Sequence, residues 1–133
     1  MHDTSMTEPL CRLAVCREEM SDGKEWSIYV LGETLGPIEV CLTSVSYEWG
    51  DSGHSVTPNV RVTVPPDGSG LLWREHWEGA ELSMELEVEL RLREKTVRLA
   101  YELGKLYRRK SPAIIPQLSK PGWLLLPDRS SVA

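Results

Sequence analysis

Residues 81–92 alternate without a break. Leu82, Met84, Leu86, Val88, Leu90 and Leu92 are apolar, and Glu81, Ser83, Glu85, Glu87, Glu89 and Arg91 between them are polar. In a strand, successive side chains point to opposite faces, which gives this segment one apolar face and one charged face. A helix advances about 100° per residue and would smear the same six apolar side chains around its whole circumference. The segment reads as a half-buried antiparallel strand, and that reading sets the fold class.

The same two-residue period recurs elsewhere. Leu13 and Val15 mark a first strand over 10–17, and Trp26, Ile28 and Val30 mark a second. Ser21-Asp22-Gly23-Lys24 between them has turn chemistry, because Gly supplies positive φ and Asp bonds nearby backbone. Ile38, Val40 and Leu42 alternate, and the apolar parity then switches to Val45, Tyr47 and Trp49. A switch inside a continuous strand predicts a bulge near Thr43 or Ser44. Gly50 to Ser55 reads as a turn. Val60, Val62 and Val64 form a further strand. Pro65 to Gly70 is a loop, and Leu71 to Trp77 is expected to run back beside 59–64.

Val97, Leu99, Tyr101 and Leu103 alternate with Arg98, Ala100 and Glu102, which predicts a hairpin with the 81–92 strand. A four-residue loop from Leu92 to Lys95 sets Glu89 opposite Arg98. A two-residue loop, Glu94-Lys95, sets Glu87 opposite Glu102. Neither Glu94 nor Lys95 favours the positive φ of tight turns, so the longer loop is expected. Leu99, Leu103 and Leu106 also suit one face of a helix, and the composition there favours helices. The expected fold is all-β, a two-layer antiparallel sandwich of seven or eight strands, with an α+β alternative carrying a helix at about 95–110.

A chain of 133 residues fits one domain and buries roughly two thirds of its unfolded surface. Residues 1–9 are polar and expected to fray. The tail, 111–133, holds Pro112, Pro116, Pro121 and Pro127, so it is expected to pack as extended segments rather than as a long helix. No stretch approaches the roughly 20 apolar residues of a membrane span, and no basic region leads into an apolar signal segment. Cys11, Cys16 and Cys41 match neither a disulfide framework nor a zinc motif, and the expectation is buried thiols in the cytoplasm.

The chain contains five tryptophans and no phenylalanine, so tryptophan must supply most of the large aromatic surface of any core or site. Trp73-Arg74-Glu75-His76-Trp77 is the densest cluster of site-like residues. In a strand, Trp73, Glu75 and Trp77 share one face and Arg74 and His76 the other. Exposed tryptophans would stack on a ligand, whereas buried ones would be core. His76 would titrate near neutral pH.

Glu81, Glu85, Glu87 and Glu89 line one strand face, which would suit a divalent cation but more simply forms a solvated face. Gly50-Asp51-Ser52-Gly53 resembles the nucleophile motif of trypsin-like serine proteases. His54 follows where that family has Gly, however, and no Ala-Ala-His-Cys segment supplies a base. The motif therefore reads as a polar turn.

The net charge of −5 argues against generic binding to nucleic acid or anionic membrane. Charge is nonetheless segregated. Residues 91–110 hold eight basic and two acidic residues, giving +6, while the rest holds seven basic and eighteen acidic residues, giving −11. Lys105, Tyr107, Arg108, Arg109 and Lys110 would contact phosphates, with Tyr107 available to stack. A patch facing water, the acidic strand of this chain or an acidic protein partner is the competing reading.

Trp26 and Tyr29, then Ser44 and Tyr47, then Thr57 through Arg61, have spacings that resemble a group of small bacterial proteins of uncharacterised activity. Some of these carry a misleading phenylalanyl-tRNA synthetase label. The matching segments cover about a quarter of the chain, and Val45-Ser46-Tyr47-Glu48 stands where that group has glycines around the Tyr. The resemblance implies a small β-rich domain and supplies no activity.

No coherent catalytic set stands in the sequence. The expectation is a non-enzymatic cytoplasmic protein-interaction or accessory domain without a cofactor or metal, with a protein partner or self-association. Two alternatives stay open. One is nucleic-acid binding through 105–110, and the other is a small-ligand or hydrolytic site around Trp73, Glu75, His76 and Trp77.

Overall fold

The computed structural model describes residues 11–32, 37–49, 52–77, 84–91, 95–103 and 111–132, with the side chains of 47–49, 52–55, 77, 129, 131 and 132 excepted. Eleven strands are present among them. They are β1 (Arg12–Met20), β2 (Gly23–Leu31), β3 (Ile38–Trp49), β4 (Ser52–Val56), β5 (Val60–Val64), β6 (Ser69–Trp77), β7 (Met84–Arg91), β8 (Thr96–Glu102), β9 (Ala113–Ile115), β10 (Lys120–Leu125) and β11 (Arg129–Val132). One sheet runs β6-β2-β1-β10-β9. The other runs β11-β8-β7-β3-β4, with β5 beside the remaining half of β3. The pairings are antiparallel, and a shared apolar core joins the two sheets.

β7 does what its alternation demands. Met84, Leu86, Val88 and Leu90 are buried, while Glu87 and Arg91 are exposed. Leu82 and Leu92 lie outside the described residues. Opposite β7, Val40, Leu42 and Val45 enter the core, and Leu13, Val15, Ile28 and Val30 close it from the first sheet. The parity switch in β3 is a bulge, with the register against β7 shifting between Leu42 and Ser44. The Thr43 hydroxyl donates to the Glu87 carbonyl across it at 3.1 Å.

The β7–β8 hairpin takes the longer loop. Arg91 pairs with Thr96 and Glu89 with Arg98, whose side chains approach to 3.4 Å. Residues 96–102 are strand, so no helix forms there; 104–110 lie outside the described residues.

Three expectations change. Ser52–Val56 is a strand rather than part of a turn, pairing back on β3 with Trp49 opposite Ser52. β6 does not pair with β5. It crosses to the other sheet and pairs with β2, while β5 pairs with β3. Pro65-Pro66 makes a corner that cannot be a tight hairpin. There the Gly68 amide donates to the Pro65 carbonyl at 3.0 Å and the Gly32 amide to the Gly68 carbonyl at 2.8 Å. A Cβ on Gly32 would collide with the Pro65 carbonyl oxygen, a backbone atom, so only glycine lets the two inter-sheet connections meet. The strand number exceeds seven or eight because β4 and the three tail strands join the sheets.

The tail is built into the body. β10 pairs with β1, Leu13 opposite Leu125 and Val15 opposite Trp123. Trp123 and Leu125 fill the core between the sheets. On the reverse side of the first sheet, Ile115 covers Ala14 and Leu31, with Tyr29 and Leu118 around them. Gly122 permits this second layer, since a Cβ there would lie 2.8 Å from the Val15 oxygen and 2.9 Å from Cys16 Sγ.

Candidate functional site

The tryptophans of the first sheet are mainly structural. Trp26 is fully buried and stacks on Trp123, with centroids 6.3 Å apart and planes at 23°. The Arg17 guanidinium lies 5.4 Å from the Trp26 centroid and 5.5 Å from that of Trp123. This cation–π arrangement ties β1, β2 and β10 at one end of the core.

β6 is an edge strand, and it splits the sequence-nominated cluster. Trp73 pairs with Ile28 and Glu75 with Trp26, so both face the core side. Trp73 is half-buried against the core, and its Nε1 donates to Glu75 Oε1 at 3.1 Å. Arg74 and His76 take the other face. Arg74 lies 3.5 Å from Glu25, and exposed His76 Nε2 lies 3.9 Å from Asp22. Trp77 pairs with Lys24 through its backbone, and its side chain lies outside the described residues. The carboxylate and the imidazole of this cluster therefore point to opposite sides of one strand and do not converge on a common atom.

Lys105, Tyr107, Arg108, Arg109 and Lys110 lie outside the described residues, as do Gly50 and Asp51 of the Gly-Asp-Ser-Gly motif. Of the glutamate column, Glu89 is held by Arg98, Glu87 is exposed and Glu85 is half-buried. Glu81 lies outside. Among the described residues, no group of three or more His, Cys, Asp or Glu could hold a metal ion. No helix long and apolar enough to cross a membrane is present among them.

Three surface features remain. The outer face of the second sheet holds a groove of about 640 Å³ lined by Thr43, Ser44, Glu87, Glu89, Arg98 and Ser130. Its lining is mixed, with Val88, Leu99 and Ala100 beside the polar groups, and its one cation, Arg98, lies 3.4 Å from Glu89.

On the reverse of the first sheet, Lys120 Nζ donates to the Tyr29 hydroxyl at 2.9 Å and lies 4.8 Å from that ring's centroid. The Tyr29 hydrogen bond raises the Lys120 pKa. Burial raises that of the Cys16 thiol, against the opposing charge of Lys120. A buried thiol held protonated is a poor nucleophile.

The third feature is the tail edge, which sequence reasoning missed. β9 is the end strand of its sheet, and Ile114 there is 64% exposed. Leu124 and Leu126 farther along the tail are 43% and 54% exposed, Leu124 on the opposite face of the sheet from Ile114. A pocket of about 200 Å³, lined by Ser111, Ala113, Ile114, Pro116, Gly122 and Leu124, adjoins the edge. The exposed-apolar signal was legible only as the sequence pair Ile114-Ile115. Ile115 is buried and Ile114 is not.

No protein-family model matches this chain, and no curated protein or solved structure matches it either.

Proposed function

We propose that this chain is a non-enzymatic cytoplasmic protein-interaction or accessory domain that binds its partner along the β9–β10 tail edge. One observation carries the reading. Among the described residues, five large apolar side chains are exposed, Met20, Leu71, Ile114, Leu124 and Leu126, and three of the five belong to the tail. Ile114 and Leu124 both border the pocket at that edge, and exposed apolar surface gathered at one place marks a site of association, whereas scattered single residues do not. The cytoplasmic assignment draws support from Cys11, Cys16 and Cys41, which are buried as thiols and form no disulfide.

The test replaces Leu124 and Leu126 by Lys. Both side chains are exposed, Leu124 at 43% and Leu126 at 54%, so the double variant should still fold, with thermal melting as the check. Cross-linking pull-down and sedimentation velocity should show a partner, or a second copy, retained by the wild type and released by the variant. A wild-type protein that sediments as a monomer and retains nothing more than the double variant does would overturn the reading.

A further inference from the structure

Pro121 stands opposite Ile114 in the β9–β10 ladder. An antiparallel ladder alternates pairs that exchange two hydrogen bonds with pairs that exchange none. Proline has no N–H, so Ile114–Pro121 is a non-bonded pair, and the bonded pairs are Ala113–Gly122 and Ile115–Lys120. The N–H and C=O of Ile114 therefore both point away from β10. Among the described residues no strand lies on that side, because β9 ends the sheet.

Residues 111–116 carry no charged side chain; the edge is limited instead by its three-residue length and by Pro112 and Pro116 on either side, which leave one open rung, at Ile114. By contrast, the opposite edge strand, β6, carries Arg74, Glu75 and His76.

We propose that β9 accepts an extended peptide segment of a protein partner by strand addition, with its two central hydrogen bonds at Ile114 and one apolar side chain in the adjoining pocket. This rests on the interaction reading above and specifies its partner. The partner residue opposite Ile114 exchanges both main-chain bonds with it. The next partner residue, opposite Ala113, projects to the face shared by Ala113, Gly122 and Leu124, where the pocket lies. At about 200 Å³ that pocket suits a single side chain rather than a drug-sized ligand, which needs ~300–1,000 Å³. Main-chain bonds supply affinity in this mode, and the pocket supplies selectivity.

The flanking prolines discriminate between occupants. Pro112 offers a carbonyl and no N–H. A second copy of β9, laid antiparallel about Ile114, would bring Pro112 opposite Pro116 and lose the rungs beyond the central one. A proline-free segment from another protein supplies the N–H donors that both prolines lack.

The experiment selects random heptapeptides displayed on phage against the immobilised full chain. Each enriched peptide is then titrated by fluorescence anisotropy. Ile114→Pro removes the outward N–H without breaking a rung to β10, and should weaken binding several-fold, up to about tenfold, for the one main-chain hydrogen bond lost. N-methylation of the partner residue opposite Ile114 should do the same on the wild-type chain, which decides the matter should Ile114→Pro fail to fold. Ile114→Thr keeps the N–H and the β-branch and should weaken binding less than either.

Peptides indifferent to Ile114→Pro and to N-methylation, yet released by Leu124→Lys/Leu126→Lys, overturn strand addition and leave the interaction reading standing. An empty selection beside a pull-down partner that depends on Leu124 and Leu126 does the same. An empty selection beside an empty pull-down overturns both.

Discussion

The hydroxyl of Tyr101 in β8 donates to the main-chain carbonyl of Cys11, just before β1, at 2.9 Å. The bond is buried and joins the two sheets at a separation of 90 residues. Tyr101→Phe keeps the ring and strands the carbonyl. An unsatisfied buried acceptor costs ~1–3 kcal/mol, so the unfolding free energy should fall by that amount, read as a lower urea midpoint with little change in slope. An unchanged midpoint would mean that water replaces the hydroxyl.

The same residue sets an alkaline limit. Burial pushes the Tyr101 pKa far above its ordinary value, with its contacts to Cys11 adding to the rise. The unfolded chain gives up this proton near pH ~10 while the folded chain keeps it, so the stabilisation is complete below that pH and declines above it, by up to ~1.4 kcal/mol per pH unit. Cys16, raised mainly by burial, acts in the same direction from pH ~8.5 upward. Urea midpoints at pH 7, 9 and 10.5 should therefore fall in sequence. Cys16→Ala should flatten the first step and Tyr101→Phe the second, and equal slopes in wild type and variants would refute the assignment.

Gly122 lets β10 lie against β1 and Ile115. Its replacement by Ala places a methyl 2.8 Å from the Val15 oxygen, a backbone atom that cannot swing aside. Overpacking of this kind costs ~1–3 kcal/mol, and thermal melting should register it as a clear drop. A variant as stable as the wild type would show that β10 can slide outward at no cost.

Thr43 closes the bulge in β3. Thr43→Val preserves shape and β-propensity but removes the donor to the Glu87 carbonyl. The site is open to solvent, so the expected loss is small, ~0.5–1.5 kcal/mol by urea unfolding. A loss several times larger would mean that the register of β3 on β7 depends on this hydroxyl.

Much of the fold was written in local periodicity. The apolar positions of β7, the parity switch at Thr43 and the pairing of Glu89 with Arg98 all follow from spacing within one or two adjacent strands. What spacing does not carry is the choice of sheet. β6 was expected beside β5 because the two are sequence neighbours, but the corner at Pro65–Gly68 sends it across the core to β2. Its bulge opposite Ile28 and Tyr29 turns Leu72 inward and leaves Leu71 exposed, against simple alternation.

The tail prolines concealed three strands. Pro121 is tolerated because its pair with Ile114 needs no N–H, and the other three prolines flank strands rather than interrupt them. The candidate site was illegible for the same reason. Tryptophan and histidine drew the eye to β6, whereas an open edge is a property of sheet order and leaves no residue signature.

The pairing of β1 with β10 carries a consequence for synthesis on the ribosome. The first hairpin emerges early, but one side of β1 stays without its neighbour until residues 120–125 have left the exit tunnel. Through that interval the nascent chain presents Leu13 and Val15 on an open rim, a template for misassembly with other nascent chains. The vulnerable period of this fold is thus its own translation time.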